Sequence, residues 1–335
     1  MARRARRALG RPDLLATGNL LVIDFRYHVI SIVAIFLALA TGIALGAGPL
    51  GKEFDQQLAN QARQDREAKN DLRDQLAQTN QVMDFEGQFA QDLAPQLVGN
   101  RLEGRTVALF VLPGADGNTV DDIESRIQGA GGTVTATITI QDGLMDPSER
   151  QTAEGIATEV LKGVRGMPNL EGAQSYQLVG YSLARGYLAT SDQGAPVDQV
   201  ATEIDGAYGE GGANYLTHDG DITQRANLAV IVSGPPSDDP QVGQGELLAI
   251  MAQAMDSLSG GVVVVGPIAS AGDNGYVTAV RDSDASDAVS TVDVADRPSG
   301  QIVTVLALEQ QAEGAVGQYG AADSADAVMP EPAQQ

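Results

Sequence analysis

The order of apolar and polar residues divides the chain into three regions. Residues 29–51 carry no charged side chain, residues 52–98 are polar with apolar residues at helical spacing, and residues 104–320 alternate short apolar runs with amphipathic stretches. These patterns predict, in that order, a membrane-spanning helix, a long exposed helix and an α/β domain.

The uncharged run is long enough to cross a bilayer. In a helix rising about 1.5 Å per residue, its 23 residues exceed a hydrocarbon core of about 30 Å. A secretory signal has an apolar stretch of roughly 7 to 15 residues after a short basic lead, whereas this run follows a lead of 28 residues. We predict an uncleaved anchor, with cleavage near the sequence ALGAG as the alternative.

The flanks of the run predict its orientation. Residues 1–28 hold six arginines and two acids, which favours a basic cytoplasmic segment and a large domain outside the cytoplasmic membrane. At the boundary lie four side chains of the kinds that fix the depth of a membrane helix: Phe25, Arg26, Tyr27 and His28. A metal site at the histidine is the alternative, but no second soft ligand is near it in sequence.

Small residues recur at every fourth position of the run. They are Ala34, Ala38, Gly42 and Gly46. This spacing places them on one helical face, where two helices can approach closely, and the two glycines form a GxxxG motif. We predict a parallel homodimer through this face and the following helix; the alternative is the ordinary abundance of Gly and Ala in membrane helices.

Residues 52–98 have the composition of a helix, with one Gly and no Pro before Pro95. Alternating three- and four-residue spacing runs from Leu58 to Leu97, interrupted by polar or charged residues at four positions. The interruptions are Asp65, Lys69, Thr79 and Glu86. We predict a coiled-coil stalk of roughly 70 Å, and the alternative is an amphipathic helix that packs back on the following domain.

Residues 104–320 predict an α/β domain with a mostly parallel, Rossmann-like sheet covered by helices. Short apolar runs typical of buried strands, such as RTVALFVLPG and VVVVGP, alternate with helical stretches such as GELLAIMAQAMDSLSGG. Such alternation is typical of β-α-β units. The Gly-rich stretch 141–226 has no clear assignment except a helix start at Asp146 and Pro147, and residues 321–335 predict a disordered acidic tail.

The net negative charge of the chain disfavours one class of partner. With 21 Lys and Arg against 44 Asp and Glu, the chain carries a formal charge of -23. So acidic a surface repels phosphate backbones, which disfavours nucleic acid as a partner. The chain contains no cysteine, which excludes disulfides, a lipid-modified Cys and thiolate metal sites.

The motifs of nucleotide binding and of nucleophilic catalysis are missing. The loop PGADGNTVDD lacks both glycine spacings of nucleotide-binding loops, and its acids place negative charge where a pyrophosphate would lie. There is no GxSxG sequence. We therefore predict a protein without a catalytic site.

Three residues are candidate metal ligands. Met251 and Met255 lie one helical turn apart and can converge on Cu(I), but they share the apolar stripe of their helix, which favours core packing. His218, beside two aspartates, is a candidate base or ligand, and a solvated loop residue is the favoured interpretation. We predict no cofactor, with copper as the alternative.

Three stretches together resemble one known family. FRYHVISIVAIFLALATGIALG, VALFVLPGADG, and VSTVDVADRPSGQIVTVLAL with the later GQYG are similar to the actinobacterial copper-transport protein B (MctB) family. The resemblance covers most of residues 22–320. It implies an envelope protein, and it carries no set of catalytic residues.

The resemblance implies two functions. One is copper efflux or copper homeostasis across the envelope. The other, implied by SteB-type members, is a bitopic protein that regulates a peptidoglycan hydrolase in cell separation together with a second membrane or envelope protein. A single span without charged or amide side chains cannot line an aqueous path alone. We therefore favour an interaction scaffold, with copper transport as the alternative and an enzyme third.

Overall fold

The computed structural model describes residues 25–46, 49–237 and 243–331. It divides into two compact units, Met1–Asn80 and Gln81–Gln335. Most of the predicted basic segment, residues 1–24, lies outside the described residues.

The first unit contains the predicted span as helix α1, Phe25–Gly46. This helix is long and apolar enough to cross a membrane, and none of its residues is buried. It begins four residues before the predicted start at 29 and ends five before the predicted end at 51. The four predicted boundary residues therefore form its first turn.

Helix α2, Pro49–Val98, crosses the division between the two units. Its last eighteen residues belong to the second unit, where Ala94 and Val98 are fully buried in a core cluster that also contains strand residues. Packing against the following domain, the alternative to a coiled coil, therefore holds for this end of the helix.

The second unit is built on a seven-stranded sheet, and the prediction of a mostly parallel α/β fold is confirmed. Every neighbouring pair of strands is parallel except the pair β2 and β4. The strand order is β4-β2-β1-β6-β7-β8-β9, and β3 and β5 form a separate antiparallel pair. The strands are β1 Thr106–Val111, β2 Thr133–Ile140, β3 Ala195–Pro196, β4 Leu216–His218, β5 Gln224–Arg225, β6 Leu228–Val232, β7 Gly261–Val265, β8 Ser290–Val292 and β9 Gln318–Tyr319.

Helices cover both faces of this sheet. They are α3 Gly117–Gly129, α4 Asp142–Met145, α5 Arg150–Leu161, α6 Ser175–Tyr187, α7 Gln199–Tyr208, α8 Gln244–Asp256, α9 Tyr276–Arg281 and α10 Pro298–Ala312, with short 3₁₀ turns at Pro147–Glu149, Ile268–Ala271 and Asp284–Asp287. Helices α5 to α8 pack on one face, and α3, α10 and the end of α2 pack on the other.

The central strands form because they are apolar on both sides. Along β1, Ala108 and Phe110 enter one core while Val107 and Leu109 enter the other. All residues of β6 and β7 are likewise fully buried. Such continuous Val, Ile and Leu runs are typical of parallel strands between two helical layers.

The Gly-rich stretch 141–226 is helical over much of its length rather than a loop. It contains α4 to α7. Gly180 in α6 is required by close packing, since a Cβ there would lie 2.4 Å from the carbonyl oxygen of Met251 in α8. Gly180 interrupts the helical pattern in the sequence, but it allows α6 and α8 to pack closely.

The predicted disordered tail at 321–335 is wrong over the described residues 321–331. Gly320 donates to the carbonyl of Ala327 at 3.0 Å, and Asp326 donates to the carbonyl of Gln318 at 2.8 Å. The segment therefore folds against the edge strand β9. The preceding helix α10 ends at Ala312, and the chain then turns back into strand β9 at Gln318.

Candidate functional site

A cleft of about 810 Å³ lies at the carboxyl ends of the central strands. Its walls include Pro113 and Gly114, which follow β1, and Pro235 and Pro236, which follow β6. These neighbouring strands are the point where the strand order reverses direction, since the chain moves from β1 outward to β2 and later returns to the other side of β1. Ligands of doubly wound sheets bind at this position.

The two loops meet in close contact at the floor of the cleft. A Cβ on Gly234 would lie 2.0 Å from the carbonyl oxygen of Gly114, so only glycine fits there. Gly114 itself has a φ of 81°, in the left-handed region that glycine adopts without strain. The glycines of PGADG and SGPP thus shape this cleft.

The cleft is acidic. Asp142, Asp146 and Glu246 line it, and its described lining contains no Lys or Arg. Hydrogen bonding by the backbone and side chain of Ser148 lowers the pKa of Asp146, which keeps that carboxyl ionised. Burial, and secondarily the charge of Asp142, raises the pKa of Tyr276 to about 12. The arrangement suits positively charged groups.

The start of α3 next to the cleft is closed by the chain's own carboxylate. Asp116 caps the helix, and its side chain accepts from the amide of Thr119 at 2.9 Å. This amide is one of the donors that a phosphate would use at a helix N-terminus. The local chemistry therefore favours cations over phosphates.

Met251 and Met255 are both fully buried in the core on the α5 to α8 side of the sheet. They pack among apolar residues of α6, α8 and the strands. Among the residues that the structure describes, no three His, Asp or Glu side chains are grouped as metal ligands.

His218 is not a solvated loop residue. It ends the edge strand β4, opposite Ile138, and its side chain is 19 % exposed. Its Nε2 lies 3.0 Å from Oδ1 of Asp205, and its Nδ1 lies 2.9 Å from the carbonyl oxygen of Gly220. The hydroxyl of Tyr187 donates to the same aspartate oxygen at 2.6 Å. Both ring nitrogens of the histidine are thus occupied within the chain.

The small residues Ala34, Ala38, Gly42 and Gly46 are all exposed on α1. A Cβ added at either glycine would meet no atom within 4 Å. The pairing of two copies through this face stays a prediction, as does the interfacial role of Phe25, Arg26, Tyr27 and His28, which are also exposed.

An aromatic stripe on α2 was missed by the heptad analysis. Val82, Phe85 and Phe89 are 56 %, 68 % and 56 % exposed, and the two rings stack with centroids 6.3 Å apart. The predicted seam ran instead through Ala90 and Leu93, which are half-buried on the domain. Spacing of three and four residues between 82, 85 and 89, off the seam, was the signal in the sequence.

A buried ion pair links the C-terminal stretches that carry the family resemblance to helix α9, which ends at Arg281. Arg281 donates through Nη1 to Asp293 at 2.9 Å and through Nη2 to the carbonyl of Tyr319 at 2.8 Å. The arginine and aspartate side chains are 3 % and 0 % exposed. Gly320, with a φ of 140°, lies against the aspartate, and a Cβ there would be 2.1 Å from Oδ1. These motifs therefore join β8 to β9 and have a structural role.

Comparison with known proteins places this fold in one family. The family model described as "Copper transport outer membrane protein, MctB" matches residues 22–330. The "Copper transporter MctB" of Mycobacterium tuberculosis is 28 % identical over 316 residues, and that of Mycobacterium leprae is 26 % identical over 324 residues. Each match covers 92 % of this chain and 99 % of the relative. Together with its apolar helix, this makes the chain a membrane-associated member of the copper-transport-related MctB family.

Proposed function

We propose that this chain is a non-enzymatic, single-pass scaffold of the cell envelope, which binds a second membrane or envelope protein and helps to control cell-wall hydrolysis in cell separation. Its N-terminus would lie in the cytoplasm and its α/β domain outside the cytoplasmic membrane. The six arginines of residues 1–28 support this orientation.

The observation that carries the proposal is the exposed apolar surface of α2. Leu58, Leu72 and Leu76 are 69 %, 65 % and 60 % exposed in the first unit. In the second unit, the stripe of Val82, Phe85 and Phe89 is also exposed. Large apolar side chains repeated along one helix are costly in water and mark surfaces that another protein covers.

The membrane helix supports anchoring rather than transport by this chain alone. Between Val29 and Gly46 its side chains are apolar apart from the hydroxyls of Ser31 and Thr41. The hydroxyl of Thr41 donates to the carbonyl of Leu37 within the helix at 2.6 Å. A path for an ion through a membrane requires polar groups that replace water around the ion.

Copper transport or copper homeostasis is the second candidate function. The family description and the names of the mycobacterial relatives favour it. Copper as a cargo would require soft donors on an accessible surface, and the thioethers of Met251 and Met255 are buried. These two methionines therefore do not supply such a surface.

The two functions are separable in cells that lack this chain. The scaffold proposal expects chained cells with normal copper tolerance, restored by the full chain but not by a Leu72→Gln, Leu76→Gln variant. A Gln75→Ala, Gln78→Ala variant of the same helix is the control and should restore separation. Copper sensitivity with normal cell separation would contradict the proposal and establish the copper function instead.

A further inference from the structure

The last part of α2 has two opposite faces. Ala94 and Val98 are fully buried against the domain. Phe85 precedes Ala94 by nine residues, and Phe89 precedes Val98 by nine. Nine residues rotate a helix by about 900°, which is two and a half turns and places the two side chains on opposite sides. The two phenylalanines therefore point directly away from the domain, which cannot cover them.

Acidic residues lie on both sides of this aromatic stripe. Glu86 follows Phe85 by about 100° of helix rotation, and Asp92 lies about 60° from Phe89 on the other side. Both carboxylates are exposed, and neither forms an ion pair with another part of the chain that the structure describes. The stripe is thus an apolar surface with a negatively charged border.

The charge of α2 changes along its length. Residues 52–73 contain five basic and five acidic side chains, whereas residues 74–100 contain four acidic side chains and no basic one. A balanced segment can pair with a second copy of itself through opposite charges. In a parallel pair, the acidic segment would place like charges beside one another, which is unfavourable.

We propose that Val82, Phe85 and Phe89, bordered by Glu86 and Asp92, form a docking surface for an amphipathic helix of a partner protein. The partner's apolar stripe would be flanked by Lys or Arg, complementary to the acidic border. This inference rests on the proposed scaffold function and assigns the partner to a surface distinct from segment 52–73, where self-pairing is predicted.

A pair of synthetic helical peptides tests the chemistry of the surface. One carries leucines at helical spacing flanked by lysines, and the other is identical except that glutamates replace the lysines. Fluorescence anisotropy measures their binding to the full chain in nanodiscs, with empty nanodiscs subtracted. We expect the lysine peptide to bind at least tenfold more tightly than the glutamate peptide, and equal binding would overturn the proposal.

Variants of the chain locate the binding. Phe85→Ser with Phe89→Ser should weaken binding of the lysine peptide at least tenfold, because aromatic side chains supply most of the binding energy in such contacts. Gln91→Ser, at an exposed position about 120° of helix rotation from Phe85, is the control and should leave binding of the lysine peptide unchanged. Since both phenylalanines are exposed, the urea midpoint should also stay unchanged. Undiminished binding to the phenylalanine variant would mean attraction by bulk charge alone and would refute the docking surface.

Single cysteines distinguish this surface from self-pairing, because the natural chain contains none. Under oxidation, Leu72→Cys should give a covalent dimer and Phe89→Cys should not. Efficient dimerisation through position 89 would assign the stripe to a second copy and overturn the docking proposal. Peptide binding without a dimer at position 72 would contradict self-pairing alone, whereas a dimer without peptide binding would contradict the docking surface alone.

Discussion

Replacing Asp293 by alanine should destabilise the second unit more than any surface substitution. The carboxylate is fully buried, and it accepts from Arg281 and from the amides of Ala321 and Ala322 at 2.7 and 3.2 Å. Without this carboxylate, the guanidinium of Arg281, whose side chain is 3 % exposed, keeps only uncharged hydrogen-bond acceptors. Removal of one partner from a buried ion pair costs about 3–5 kcal/mol, and each backbone amide left without an acceptor adds about 1 kcal/mol or more.

Urea titration of the full chain, followed by tyrosine fluorescence, measures this loss. We expect the free energy of unfolding to fall by about 4 kcal/mol or more. The control is Asp296→Ala, which removes a neighbouring ion pair. In that pair Nε of Arg297 lies 3.5 Å from Oδ2 of Asp296, and the side chains of Asp296 and Arg297 are 37 % and 53 % exposed. That change should cost less than about 1 kcal/mol. Equal losses in the two variants would refute the argument that burial makes the first pair important.

Three further variants test other parts of the chain. Burial raises the folded pKa of Asp256 to about 6, so stability is lost as pH rises from about 4, where the unfolded carboxyl ionises, to about 6. Asp256→Asn should therefore add about 1–2 kcal/mol to the free energy of unfolding at pH 7 and nothing at pH 4, and an equal gain at both values would contradict this. Met251→Leu with Met255→Leu should change stability by less than about 1.5 kcal/mol and leave copper tolerance intact, whereas lost tolerance would assign the thioethers to copper. Gly42→Ile with Gly46→Ile should lower the yield of chemically crosslinked dimer, because the larger side chains would keep two helices apart. A Cβ at either position meets no described atom of its own chain within 4 Å, so an unchanged yield would show that this face does not pair.

The central sheet was predictable because its physical cause is local. Buried parallel strands need uninterrupted apolar runs. The predicted run RTVALFVLPG contains β1 at Thr106–Val111, and VVVVGP contains most of β7, which begins one residue earlier, at Gly261. The start of α5 was also predictable, since Asp146 caps the short turn that begins at Pro147. In each case the residues that signal the element also stabilise it.

The elements that escaped prediction depend on distant contacts. Gly186 in α6 looks like a helix breaker, but it lets Ile204 of α7 approach, and a Cβ would lie 2.9 Å from that side chain. Strand β9 has only two residues and is a strand only because it pairs with β8. The cleft could not be predicted either, because its walls come from segments far apart in sequence.

The aromatic stripe was missed for a different reason. A heptad seam can be drawn through most amphipathic helices, and the predicted seam passes through Ala90, which packs against the core of the domain. Sequence periodicity identifies an apolar face but not what covers it. Only the fold separates the face that the domain buries from the one that Phe85 and Phe89 leave in water.

The contact between Asp293 and the segment after β9 also determines when this domain can finish folding during synthesis. The carboxylate is buried by residues that are synthesised almost thirty positions later. Until they leave the ribosome, strand β8 has an unpaired edge, and the carboxylate of Asp293 lacks the hydrogen bonds from the amides of Ala321 and Ala322. A chain shortened before Gln318 would therefore be exposed to proteases as an incomplete sheet, although every central strand is present.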